Sequence, residues 1–316
     1  MQIGFANALQ PMNVLYCFLG VFIGTLIGVL PGIGPSGAIA ILMPVTFNIS
    51  SLSAIIILAG IYYGAMYGGS TTSILVNIPG EAASVVTCID GYQMARKGRA
   101  GPALGISAFG SFIAGISGII LLAILAPSLA QVALDFGPPE FFSLMVLGLT
   151  LVIYLGSGSI VKALMMAAFG VVLGCIGQDP ILGTPRLTYG IEALFDGVDL
   201  IPVIMGLFGI SEVLINLEKK EHREIYETKI QGLLPNREDW KVSAKPIIRG
   251  TLLGFFLGIV PGGGALLASF ASYAIEKKFS KHPEKFGTGA IEGVAGPETA
   301  NNAGTMGAMV PLLTLG

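Results

Sequence analysis

The sequence predicts an all-α, polytopic transmembrane helical protein with internal repeats and broken or re-entrant helices. Three observations predict it. Charged side chains are scarce, 11% of 316 residues, where a soluble domain carries about 25%. Hydrophobic residues make up 53%, and the mean hydropathy is +0.80. There are 45 glycines, and they recur in a pattern. A soluble protein needs more polar surface than this chain supplies. A cytosolic enzyme, a disordered chain and a nucleic-acid binder are excluded, the last also by a formal net charge of −2.

A helical crossing needs about 20 apolar residues. Candidate spans are Val14–Leu30, Ser53–Tyr67, Ala103–Leu125, Phe141–Leu155, Ala163–Ile176 and Val198–Leu217. Shorter apolar pieces are Gly37–Phe47, Ile247–Val260, Ala265–Ile275 and Gly304–Leu315. Short pieces cut by Gly and Pro are the sequence mark of discontinuous transporter helices. No Lys or Arg precedes Arg96. Placing Arg96, Lys97 and Arg99 in the cytoplasm, with four crossings to Leu217, leaves Arg186 as the one basic residue outside, as the positive-inside rule requires. The expected organisation is a first repeat over 1–99, four connecting helices over 100–217, a cytoplasmic polar connector over 218–246, and a second repeat over 247–316.

The repeat is read from glycines. Gly20, Gly24, Gly28 and Gly32 return 230 residues later as Gly250, Gly254, Gly258 and Gly262, and Pro31 and Gly34 as Pro261 and Gly264. A looser match pairs Gly68-Gly69 with Gly307-Ala308. Glycines four apart let another backbone approach closely, and the Pro-Gly pair then ends the helix. Arg249 and Lys277 flank the second copy, too close for two full spans, so the segment is a single long span or a hairpin tipped by Pro261, Gly262, Gly263 and Gly264; basic residues at both ends favour the hairpin, entering from the cytoplasm. The first copy, tipped by Pro31, Gly32 and Gly34, has no basic flanks and suits entry from outside. The repeats are therefore expected to be inverted.

Two segments are polar where the pattern says membrane. One contains Ser70, Thr71, Thr72, Ser73, Asn77, Pro79, Gly80 and Glu81; the other contains Pro297, Glu298, Thr299, Asn301 and Asn302. Both read as broken helices. Hydroxyls and freed N–H groups can bind a carboxylate, and carbonyl and amide oxygens can bind a hard cation. Ser, Thr and Asn also bridge helices without binding anything, and either Glu could sit at the membrane surface. Intramembrane carboxylates are nonetheless candidates by default. Gly32-Ile-Gly34-Pro-Ser-Gly37 matches a dinucleotide fingerprint, but it follows an apolar helix and has no acid about 20 residues on. The two histidines, His222 and His282, lie in charged loops, and the three cysteines are scattered, so no metal site or disulfide framework is expected. No catalytic constellation points to an enzyme.

The runs Gly28-Val-Leu-Pro-Gly-Ile-Gly-Pro35, Tyr63-Gly-Ala-Met-Tyr-Gly-Gly-Ser-Thr-Thr-Ser-Ile-Leu-Val-Asn-Ile-Pro-Gly-Glu81 and Gly296-Pro-Glu-Thr-Ala-Asn-Asn-Ala303 resemble the large membrane subunit of the tripartite tricarboxylate transporters. The resemblance covers essentially the whole chain. It implies a permease of the bacterial inner membrane, multi-pass among membrane lipid. It further implies secondary active uptake of organic carboxylates such as citrate-like tricarboxylates, with Na⁺ or H⁺ as coupling ion and no other cofactor. A small membrane subunit and a periplasmic solute-binding protein are the implied partners. The residues of the two polar segments and the two Pro-Gly tips become the expected substrate and ion site. Family members run past position 316, so the chain reads as a fragment or truncated product. The competing expectations are a non-transporting helical scaffold or channel, a membrane-embedded enzyme, and an inactive remnant of the permease.

Overall fold

The computed structural model describes residues 2–30, 34–134, 159–179, 182–198, 234–259 and 264–315, with scattered positions from 137 to 150 and from 203 to 232. The tip residues Pro31, Gly32, Pro261, Gly262 and Gly263, and most of the expected spans over 141–155 and 198–217 and of the polar connector, lie outside the described residues.

The described elements are almost wholly helical: α1 Gln2–Ala8, α2 Pro11–Gly28, α3 Gly34–Leu42, α4 Ser51–Val76, α5 Val85–Arg96, α6 Ala100–Leu134, α7 Ile160–Gly174, α8 Arg237–Gly258, α9 Gly264–Phe279 and α10 Glu292–Leu315. One two-stranded antiparallel ribbon pairs Gly177–Gln178 with Pro185–Arg186. Among the described residues, Pro11–Gly28, Ser51–Val76 and Ala100–Leu125 are long and apolar enough to cross a membrane. Their outward faces carry large apolar side chains such as Phe18, Phe22, Phe112 and Ile124, which is what a hydrocarbon solvent requires.

Local signals set the boundaries. Ser50 caps α4 by accepting from the Ser53 N–H at 3.2 Å. Asn77 ends α4 in the left-handed region at φ 58°, a conformation that Asn tolerates better than most residues. A reciprocal capping box between Asn236 and Asp239 opens α8. That start lies inside the stretch read as a polar connector: Arg237–Lys245 is already helix.

The glycine ladders explain the packing. A Cβ at Gly20, Gly24 or Gly28 of α2 would strike the backbone of Ile57, Ile61 or Ala65 of α4. A Cβ at Gly250, Gly254 or Gly258 of α8 would strike that of Gly296, Ala300 or Gly304 of α10. Both pairs run parallel, since the residue numbers rise together. The contacts also fix the looser half of the repeat. Gly68 abuts Thr25 and Gly28, and Gly307 abuts Phe255 and Gly258, so Gly68 and Gly307 are structural equivalents.

The two copies point in opposite directions. Ser107, Ser111 and Gly118 of α6 meet Glu298, Asn302 and Met306 of α10 in the same order, so α6 and α10 are parallel. Ser70 of α4 meets the same Glu298 as Ser107, whereas Tyr63 reaches Gly115; α4 therefore runs against α6. It follows that α2 and α4 run against α8 and α10. Each copy begins as a hairpin, α2 with α3 and α8 with α9. In the second, Gly264 returns onto Gly258 and Arg249 pairs bidentately with Glu276, 27 residues on. The two arms thus share one level at Arg249 and Glu276 and meet again at Gly258 and Gly264.

The Arg249–Glu276 pair is half-open: Arg249 keeps 37% of its side chain exposed and stacks over Phe279, while Glu276 keeps 1%. Removing Arg249 strands a buried carboxylate, which costs about 3 kcal/mol or more. Arg249→Ala is expected to lower the thermal unfolding temperature in detergent clearly, and Arg249→Met with Glu276→Met to recover most of the loss. Equal instability of the single and double variants would show that the pair itself is not the cause.

Candidate functional site

Four helices bring a polar cluster together in the interior. Glu298 of α10 has no exposed surface. Its Oε2 accepts from Ser70 Oγ of α4 at 2.5 Å and from Ser107 Oγ of α6 at 2.9 Å, and its Oε1 accepts from Thr87 Oγ1 of α5. Glu81 stands in the break between α4 and α5. Its Oε2 accepts from the Ala83 N–H at 2.5 Å, and its Oε1 accepts from Asn301 Nδ2 at 3.1 Å. Asn302 donates through Nδ2 to Ser111 Oγ at 2.7 Å and to the Glu298 carbonyl at 2.9 Å. Hydrogen bonds to a charged group are worth about 1.5–3 kcal/mol each, and a buried carboxylate needs several of them.

The backbone path of the break delivers Glu81 to this place. After Asn77 the chain doubles back along α4, and the Gly80 N–H donates to the Gly69 carbonyl at 3.3 Å. A Cβ on Gly80 would strike Gly28 and Gly69, and one on Gly69 would lie 2.9 Å from Glu81 Cγ. Glycine at both positions is thus a condition for Glu81 to enter the interior. Glu81 then closes a capping box with Ser84 around the 3₁₀ turn Ala82–Ser84.

Of the residues expected from sequence, Ser70, Glu81, Glu298, Asn301 and Asn302 are gathered in one cluster. Thr72 and Ser73 bond instead to the Gly69 carbonyl of their own helix. Thr71 and Asn77 are half-buried on the last turns of α4. Pro79 and Gly80 shape the return path. Thr299 bonds to its own helix at Ala295 and packs against Gly110 and Gly250. The Pro297 carbonyl accepts from Ser269 Oγ at 3.4 Å. Gly34 opens α3 at φ 61°, and Gly264 packs on Leu257 and Gly258.

One expectation is corrected. The segment 295–304 is not a break: α10 is continuous from Glu292 to Leu315 through Pro297. Pro297 lies in the second turn, where its missing N–H removes one bond, and close packing on α6, α8 and α9 holds the helix. Likewise α4 runs unbroken to Val76, and the break is confined to 77–84.

Sequence reasoning missed Thr87, Ser107 and Ser111. The last two, at i and i+4 in an apolar helix, mark one polar stripe that periodicity could have exposed. It also missed Asp90 of α5, which has no exposed surface. Asp90 Oδ1 accepts from the N–H groups of Gly287, Gly289 and Ala290 at 2.9, 2.7 and 2.8 Å, and Oδ2 accepts from Tyr273 Oη at 2.8 Å. The residue ties the first repeat to the loop before α10. Asp90→Asn replaces one acceptor oxygen by a donor and is expected to destabilise by about 2–4 kcal/mol, measured as faster proteolysis of the 280–291 loop; unchanged protection would remove Asp90 as its anchor.

Among the described residues, no basic side chain pairs with Glu81 or Glu298, and no group of three or more His, Cys, Asp or Glu residues is placed to hold a metal. Oppositely directed hairpin repeats that meet around unpaired buried acids, beside helices of membrane length, define the architecture of a membrane transport protein. Residues 14–316 match the model of the tripartite tricarboxylate transporter TctA family, and the chain belongs to that family. It is 55% identical over 316 residues to an uncharacterized 52.8 kDa protein of the TAR-I ttuC' 3' region of Agrobacterium vitis, covering all of this chain and 63% of that protein. A second relative, from the TAR-II ttuC' 3' region of the same organism, is 65% identical over 63 residues, 20% of this chain and 26% of the relative. The chain thus spans less than two thirds of the curated relatives it matches. No solved structure matches.

Proposed function

We propose that the chain forms the core of the large membrane permease of a three-component secondary transporter that takes up organic carboxylates, citrate-like acids among them, across the bacterial inner membrane. The observation that carries this reading is the burial of Glu81 and Glu298, with amide and hydroxyl groups from four helices, where two oppositely directed hairpin repeats meet. A fixed site between inverted repeats is what alternating access requires. The buried carboxylates repel an anionic substrate unless cations accompany it, so an ion gradient both neutralises the site and drives uptake. A small membrane subunit and a periplasmic binding protein complete the system.

The test is uptake of radiolabelled citrate and related organic acids by cells that carry the intact permease with both partners. The expected result is accumulation that collapses when ionophores dissipate the ion gradients and that vanishes without the permease. Accumulation indifferent to both gradients, or none for any organic acid despite normal membrane insertion, would contradict the reading and favour a scaffold.

A further inference from the structure

Between α8 and α9 of the second hairpin lies a cavity of about 380 Å³, apart from the acid cluster. Leu253, Phe256 and Leu257 of α8 and Ile275 of α9 form its walls. Phe256 and the neighbouring Leu252 are half-exposed, so the cavity opens toward hydrocarbon.

One end of the cavity is charged. Arg249 and Glu276 line it there. Arg249 Nε and Nη2 donate to the Glu276 carboxylate, and Nη1 lies outside that pair. The guanidinium sits 5.8 Å from the centroid of the Phe279 ring, which holds it at this end. Basic residues gather around it. Lys241 and Lys245 precede Arg249 at intervals of four, which places all three on one face of α8. Lys277 and Lys278 directly follow Glu276 on α9. Over 241–278 Glu276 is the single acid, and Arg249 already holds it. Among the described residues no acid pairs with these lysines. Ser272 lines the cavity one helical turn from Glu276 toward the tip, about 6 Å along α9. It is buried, and its Oγ has no hydrogen-bond partner among the described residues.

A cationic rim, a free hydroxyl one turn further in and an apolar slot beyond match, in order, the phosphate, ester and acyl chain of a glycerophospholipid. A soluble anion would leave the slot empty. A partner helix, about 10 Å across, is too broad for a slot of this volume. Basic pockets between transmembrane helices suit anionic headgroups, and arginine suits phosphate. We propose that the groove between α8 and α9 binds an acidic glycerophospholipid, with its phosphate on Lys245, Arg249 and Lys278 and one acyl chain along Leu253, Phe256 and Leu257. The bound lipid braces the two arms of the hairpin. This site is independent of which substrate the protein carries.

The test is thermal unfolding of the purified intact protein in dodecyl maltoside, titrated with dioleoylphosphatidylglycerol, dioleoylphosphatidylcholine or glycerol 3-phosphate. Phosphatidylglycerol is expected to raise the unfolding temperature saturably, as a ligand of the folded state does; the other two are not. Lys245 and Lys278 are exposed, so Lys245→Gln combined with Lys278→Gln spares folding. The double variant is expected to need about tenfold more phosphatidylglycerol, or beyond, for the same shift. Lys162→Gln on α7 keeps the wild-type response. Equal shifts with phosphatidylcholine and phosphatidylglycerol, or an unaltered response in the double variant, overturn the site. A full shift with glycerol 3-phosphate alone leaves only a phosphate site and overturns the acyl-chain slot. Crosslinking of Leu252→Cys to the small membrane subunit, with loss of the phosphatidylglycerol response in that complex, assigns the groove to a protein partner and overturns the lipid.

Discussion

Glu298→Gln is expected to abolish carboxylate uptake while leaving the protein folded in the membrane. Glutamine matches glutamate in shape, and the three hydroxyls around it can turn to accept from its amide as readily as they donate to a carboxylate. Folding is therefore spared, and what is lost is a buried negative charge at the meeting point of both repeats. Two charge-assisted contacts of about 2 kcal/mol each, lost from the loaded state, amount to roughly 1,000-fold in uptake. Initial uptake rates at matched membrane expression measure this. Ser107→Ala and Thr87→Ala each take one donor from the carboxylate and should fall between wild type and Glu298→Gln. Uptake within twofold of wild type in Glu298→Gln would place the transport site elsewhere.

The second large effect concerns the ladders. Gly254→Val is expected to prevent stable assembly. A Cβ at Gly254 would meet the carbonyl, Cα and C atoms of Ala300, which are backbone and cannot rotate away. Overpacking of side chains costs about 1–3 kcal/mol; here a whole helix must move, and the α8–α10 interface is the most extensive in the second repeat. Gly24→Val should do the same to α2 and α4, where Ile61 stands in the way. Gly170→Val in α7 is the control, since nothing lies within 4 Å of its added Cβ. The yield of monodisperse protein after detergent extraction reads the difference. Equal yields for Gly254→Val and Gly170→Val would show that the ladders do not set the packing.

How far the sequence disclosed this structure depends on whether a feature leaves a mark in one dimension. Close backbone approach demands glycine, so the 230-residue recurrence of Gly20, Gly24 and Gly28 marked the interfaces directly. Basic residues at both ends of the second copy suggested a hairpin, and the antiparallel return from Arg249 to Glu276 is consistent with it. Ser70 and Glu298, by contrast, are 228 positions apart, and nothing local to either announces the other. Ser and Thr in apolar helices look alike whether they serve a partner or their own backbone. Ser107 reaches Glu298, whereas Thr299 and Thr305 bond to carbonyls four residues back. Gly-Pro at 296–297 signalled a break, yet tertiary packing kept α10 whole. Asp90 satisfied the same criterion that singled out Glu81, an acid in an apolar stretch, but only the three-dimensional path of residues 287–290 reveals what it holds.

Substrate protection of a cysteine placed in the cluster tests most directly whether the buried acids mark the transport site. Ser107→Cys, in a background with Cys17, Cys88 and Cys175 replaced, puts a thiol beside Glu298. Its alkylation by a membrane-permeant maleimide would be timed in the intact transporter with and without the organic acid that the wild type accumulates. The account predicts that the acid slows alkylation at least tenfold under an ion gradient and has no effect at a cysteine in place of Gly170. Alkylation at equal rates with and without the acid, in protein that still transports it, would contradict the account.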